Sequence, residues 1–194
     1  MNDIKINAKF KELIPPLSED EYRQLEQNIL SDGIRDPLVL WDSVLVDGHN
    51  RYEIAQKHGL PFETVQMDFE DEDEAMLWII DNQFGRRNLP EVDAIILSQK
   101  KNEITAKMAK EKQSEAGARN MAAYNSGTSY VQMDKTRESI NTRDAVAKGA
   151  GVSAGTVARF EQIQKKRPEL IEDIRKGEMT IGKAYNTLYP HRYL

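Results

Sequence analysis

The stretch Leu45-Val46-Asp47-Gly48-His49-Asn50-Arg51-Tyr52-Glu53-Ile54-Ala55 constrains this chain more than any other. A short apolar strand breaks at a glycine and runs straight into a helix. At such a junction glycine lets backbone N–H groups come close to a ligand, and a helix N-terminus offers partial positive charge to an anion. Arg51 adds a full charge. The combination predicts a phosphate site built on Gly48, His49, Asn50 and Arg51.

Charge is divided unevenly along the chain. Residues 1–97 hold 9 Lys/Arg against 21 Asp/Glu, while residues 98–194 hold 18 against 11. An asymmetry of this kind points to a polyanion as the partner of the second half. There are no cysteines, which excludes disulfide scaffolds, cysteine nucleophiles and thiolate metal sites. No run approaches the roughly 20 apolar residues that span a bilayer, and Met1-Asn2-Asp3-Ile4-Lys5 has no signal-peptide profile. The expectation is a cytoplasmic protein with no membrane partner.

The first half reads as α+β. Ser18-Glu19-Asp20-Glu21 is a capping box, followed by Tyr22, Leu25, Ile29 and Leu30 at helical spacing until Gly33. Leu38-Val39-Leu40-Trp41 and Val44-Leu45-Val46 form a hairpin around Asp42-Ser43. After the Gly48 loop a helix covers residues 50–58 and ends at Gly59, and Glu63-Thr64-Val65-Gln66-Met67 makes another strand. The acidic run over residues 68–74 caps a helix through Ala75-Met76-Leu77-Trp78-Ile79-Ile80. Its carboxylates are consecutive rather than spaced to converge on an ion, so no metal site is assigned. Beyond that helix, Asn82, Arg86 and Arg87 make a second candidate for gripping phosphate oxygens.

The order helix, hairpin, Asp47-Gly48-His49-Asn50-Arg51-Tyr52, helix, strand, helix, then residues 82–89, resembles the N-terminal domain of the ParB family, which shares its fold with sulfiredoxin. Family members usually read Gly-Glu-Arg-Arg-Tyr at the first motif and Glu-Asn-x-x-Arg at the second. Gly48, Arg51, Tyr52 and Arg86 fall on motif positions and His49-Asn50 stand in place of Glu-Arg; in the register of Arg86, Asn82-Gln83 align with Glu-Asn, whereas aligning Asp81-Asn82 with Glu-Asn leaves one residue inserted. The resemblance implies a domain over 1–97 that binds a nucleoside triphosphate, CTP with Mg2+ being the usual case, and a homodimer formed through that domain. Sulfiredoxin chemistry needs a cysteine that this chain lacks.

Residues 98–140 read as a basic helix to about residue 112, then a polar, glycine-containing linker without periodicity. Residues 141–194 read as an all-α domain. Thr142 caps a helix through Asp144-Ala145-Val146-Ala147-Lys148-Gly149-Ala150, Gly151-Val152 make a tight turn, and Ser153 caps a second helix with Val157, Phe160 and Ile163 inward. This is the pattern of a helix-turn-helix, and ParB-like proteins are similar here too. In that motif the second helix enters the major groove of double-stranded DNA. Its outer face is then Ser153, Ala154, Gly155, Ala158, Arg159 and Gln162, with Arg159 and Gln162 long enough to read bases. Thr142, Thr156, Lys165 and Lys166 are placed for phosphates.

The functional expectation is a ParB-like DNA-binding protein of plasmid or mobile-element partition or regulation, in a bacterial cytoplasm. Two alternatives stand beside it: a transcriptional regulator without nucleotide binding, and a ParB-like nuclease or nucleotide hydrolase in which His49 is the acid or base. No catalytic pair is identified, and at most a weak CTPase activity is implied by the resemblance.

Overall fold

A computed structural model describes residues 4–85, 89–125 and 142–189. The chain divides into two compact units, Met1–Leu89 and Pro90–Leu194.

The first unit is built around a mixed three-stranded sheet of order β2-β1-β3, with β1 at Leu38–Trp41, β2 at Val44–Asp47 and β3 at Thr64–Gln66. β1 pairs antiparallel with β2 (Leu40↔Leu45, Trp41↔Val44) and parallel with β3 (Val39↔Val65). Asp42 and Ser43 turn the hairpin with φ of 45° and 68°, the signs a two-residue loop needs to match strand twist. Leu38, Leu40 and Leu45 are buried together with Ile4, Tyr52 and Phe62 packed against them. Among the described residues four helices accompany the sheet: α3 (His49–His58) packs against β1 and α4 (Glu72–Phe84) against β2, while α2 (Glu19–Asp32) meets α3 and α1 (Ala8–Glu12) meets α4.

The local signals explain these helices. Ser18 and Glu21 complete the capping box of α2, and Asp71 caps α4, whose first turn carries Glu72, Asp73 and Glu74 against the helix dipole. Ala75, Met76, Ile79, Ile80 and Gln83 then make its buried stripe. α1 was not expected from the sequence. Asn7 caps it, Phe10 is fully buried, and Asn7 Nδ2 donates to Glu72 Oε1 at 2.8 Å, tying it to α4.

The second unit is all-helical: α5 (Glu91–Asn125), α6 (Thr142–Ala150), α7 (Ala154–Lys166), α8 (Leu170–Arg175) and α9 (Ile181–Thr187). Its core joins Val92 and Ile95 of α5 to Val146, Ala147, Val157, Phe160, Ile163, Leu170, Ile181 and Ala184. The boundary therefore falls at 89/90, not at residue 97 as expected, because the first turns of α5 belong to this core. A largely buried ion pair fixes them: Asp93 Oδ1 accepts from Arg175 Nη2 at 2.7 Å and Nε at 3.0 Å. Further along, Ser98 Oγ donates to Val146 O at 2.9 Å, and a Cβ on Gly149 would lie 2.3 Å from that hydroxyl, so α5 and α6 cross in contact.

α5 also corrects the expected linker. Residues 113–125 are helical rather than irregular. They lack an apolar stripe, yet Gln, Glu, Ala, Arg and Met are all good helix formers, with Gly117 the one costly residue before the end. The remainder of the expected linker, residues 126–140, lies outside the described residues. Thr142 is the first residue of α6 rather than its cap.

Candidate functional site

In the first unit the sheet delivers Asp47 and Gly48 to the start of α3. Gly48 is the N-cap residue, at φ 96° and ψ 23°, and no side chain caps the helix. Tyr52 N donates to Gly48 O at 2.8 Å as the first helical bond. The N–H groups of His49, Asn50 and Arg51 in the first turn are therefore without intrahelical acceptors, the donor set that an anion requires.

The space above Gly48 is filled from within the chain. A Cβ there would lie 2.5 Å from Leu38 Cδ2 and 3.1 Å from Arg51 Nη2, so only glycine lets the guanidinium lie against the loop. Arg51 Nη2 donates to Asp47 Oδ2 at 3.0 Å and to Pro37 O at 3.4 Å, and Nη1 stands 3.9 Å from Asp36 Oδ2. Arg51 Nε is buried without a hydrogen-bond partner. The glycine thus admits the chain's own arginine, which the sequence pattern assigns to the ligand alone.

Arg51 also lines a cleft of about 350 Å³ with Leu25, Ile29, Asp32, Ile34 and Asp36 among its neighbours. That is at the lower end of small-molecule clefts, roughly 300–1,000 Å³. Its walls alternate apolar side chains with the Arg35–Asp32 and Arg51–Asp36 pairs. Sequence reasoning missed this wall. Its signal was Gly33-Ile34-Arg35-Asp36-Pro37, a charged loop delivered by a helix end directly onto a strand.

His49 departs from expectation. It is buried, neither ring nitrogen has a hydrogen-bond partner, and burial pushes its pKa down to about 4, with Lys11 acting in the same direction and Asp47 against it. The ring is neutral at pH 7 and buried, so it brings no positive charge to the loop, and the donor His49 contributes there is its backbone N–H. Asn50 and Asn82 are half-buried, and Gln83 is fully buried with Nε2 unpartnered. Arg86 and Arg87 lie outside the described residues.

Cationic and N–H donors at the loop fit a phosphate group. They do not fit a metal: Asp47 is engaged by Arg51, and no group of three His, Asp or Glu able to hold an ion occurs among the described residues. The described side chains of the loop thus offer Mg2+ no ligand set of their own.

In the second unit α6 and α7 meet at a short turn. Val152 N donates to Ala147 O at 2.9 Å, and Ser153 caps α7 by accepting from Thr156 N at 3.1 Å. Val157, Phe160 and Ile163 face inward. Ser153, Gly155, Arg159, Lys165 and Lys166 are exposed, as is Thr142, while Ala154, Thr156, Ala158 and Gln162 are half-buried. Three of these side chains are already engaged. The Ser153 hydroxyl serves the cap and shares a hydrogen bond of 3.0 Å with Thr156 Oγ1, and Lys166 Nζ donates to Tyr189 OH at 2.7 Å while lying over its ring, 4.3 Å from the centroid. Arg143, which sequence reasoning passed over, is joined to Glu161 across the two helices.

Comparison with known structures assigns the class of fold, that of ParB N-domains. Two structures of a pNOB8-like ParB N-domain share 20% identity with this chain; the alignments cover 95% of it and 75% or 70% of the other chain, with TM-scores of 0.60 and 0.59. The C-terminally truncated chromosome-partitioning protein ParB from Caulobacter crescentus, complexed with CTP-gamma-S, aligns at 16% identity over 94% of this chain and 86% of that one. Its TM-score of 0.39 is too loose to bear on this chain's ligands. No protein-family model and no curated protein match the sequence. No helix among the described residues is long and apolar enough to cross a membrane.

Proposed function

We propose that this chain is a ParB-like DNA-binding protein of plasmid or mobile-element partition or regulation, acting in a bacterial cytoplasm. Its second unit binds double-stranded DNA through α6 and α7 as a helix-turn-helix, and its first binds a nucleoside triphosphate, CTP by the family resemblance. The observation that carries the reading is the outer face of α7: exposed Gly155 and half-buried Ala158 beside exposed Arg159, on a helix held from behind by three fully buried side chains, with Ala154 packed against that core instead. Small residues let a helix approach the groove floor, and arginine is the commonest reader of guanine.

In the first unit the phosphates lie against the first turn of α3 and the Arg51 guanidinium, and the nucleoside occupies the cleft that Arg51 also lines. Occupancy alters how two copies of this unit meet, and so changes the DNA-bound assembly. A second reading has an observation behind it: Asp47 already engages Arg51 through Nη2, as in a regulator whose first unit has no nucleotide to bind. Isothermal titration of CTP, ATP and GTP, with and without Mg2+ and duplex DNA, separates the two. Saturable binding of one nucleotide supports the first reading, and none by any of the three supports the second.

A further inference from the structure

Arg143 is the second residue of α6, and Glu161 lies in the second half of α7, three residues on from Ala158 and so its neighbour along the helix surface. Arg143 Nε and Nη2 both donate to Glu161 Oε2, at 3.2 and 2.6 Å. The pair is open to solvent, with the side chains 46% and 34% exposed. In a helix-turn-helix the first helix crosses the sugar-phosphate backbone while the second enters the groove. A carboxylate on the second helix repels that backbone, and an arginine in the first turn of the first helix lies close to it. A guanidinium presents the same planar fork to carboxylate and phosphate, so the two compete for it directly.

We propose that Arg143 is a DNA-phosphate contact held in reserve by Glu161, and that docking in register exchanges one carboxylate for one phosphate. The inference rests on the helix-turn-helix reading above. On a duplex that is not seated in register the pair stays closed: Arg143 makes no phosphate contact and Glu161 keeps a repelling charge near the backbone. Glu161 is then a specificity residue that acts by penalising the wrong complex, while Arg143 contributes only in the right one.

A mixed-sequence duplex tests this through the salt dependence of binding, which counts phosphates neutralised. Fluorescence anisotropy across a KCl series is measured for the full chain and for Glu161→Gln, Arg143→Ala and the double variant, each checked for unchanged helical signal and melting temperature. Glu161→Gln is expected to bind several-fold tighter, with the slope of log K against log[KCl] steeper by about 0.9, the value of one added phosphate contact. Arg143→Ala leaves the wild-type slope as it is, and the double variant returns to it. An unchanged slope in Glu161→Gln, or a steeper one that survives in the double variant, overturns the exchange while leaving DNA binding intact. Absence of duplex binding by the wild-type chain at low salt overturns the DNA-binding reading itself, and the exchange with it.

Discussion

Arg51 Nη2 lies 3.0 Å from Asp47 Oδ2, with Gly48 between the two residues in the chain and against the guanidinium in space. The two side chains are 22% and 13% exposed, so the pair is shielded enough to matter. In the proposed site a phosphate competes with Asp47 for the same guanidinium. Arg51→Ala is expected to weaken nucleotide binding by about 1.5–3 kcal/mol, the usual loss of a hydrogen bond to a charged group. Asp47→Asn removes the internal competitor and is expected to tighten binding. Isothermal titration of CTP against the three proteins measures both, and equal affinity in all three contradicts the assignment.

Gly48→Ala combines two penalties, a side chain at φ 96° and a Cβ 2.5 Å from Leu38 Cδ2. The strain alone is on the order of 1–3 kcal/mol. The expected outcome is a lower melting temperature by circular dichroism. A melting temperature at or above that of the wild type contradicts the loop geometry.

His49 carries a pH signature. Its pKa in the folded chain is held at about 4 by burial, below the ordinary 6.5, so the unfolded chain binds the extra proton more readily. The stability contributed by its neutral form is fully present above pH 6.5 and is lost as pH falls towards 4. Urea unfolding across that range, repeated on His49→Gln, isolates the contribution. The wild type is expected to lose stability more steeply on acidification, and parallel curves contradict the buried neutral ring.

The crossing of α5 and α6 depends on Gly149. Gly149→Ala places its methyl group 2.3 Å from Ser98 Oγ and is expected to cost about 1–3 kcal/mol by overpacking. Ser98→Ala removes the oxygen, and the Cβ then meets a carbon 3.4 Å away. The double variant is expected to recover most of the loss in thermal unfolding. Failure to recover contradicts the close contact.

Much of this architecture was legible where local chemistry decides it. The Ser18–Glu21 capping box, the Asp42-Ser43 hairpin, the Gly48 junction and the inward Val157, Phe160 and Ile163 each follow from neighbours in sequence. What was missed depends on distant partners. α1 is five residues long and is tied down by Glu72. The first turns of α5 enter the second core because Arg175, 82 residues away, closes on Asp93. Residues 113–125 carry no apolar stripe in the sequence, and periodicity is silent about a helix without one. At the candidate site Gly48 and Arg51 were readable as chemistry. The burial of His49, the pairing of Arg51 with Asp47 and the cleft wall over residues 33–36 were not, since each is a consequence of packing.

If α7 reads base edges as proposed, Arg159 is the side chain whose loss erases sequence preference. Duplexes are selected from a random pool by the full chain, and anisotropy then compares wild type with Arg159→Ala on the selected and on scrambled sequences. The expected result is an enriched site on which Arg159→Ala loses about 1–3 kcal/mol, with little change on scrambled DNA. Selection of no common site, or an equal loss on both duplexes, contradicts base reading by this helix.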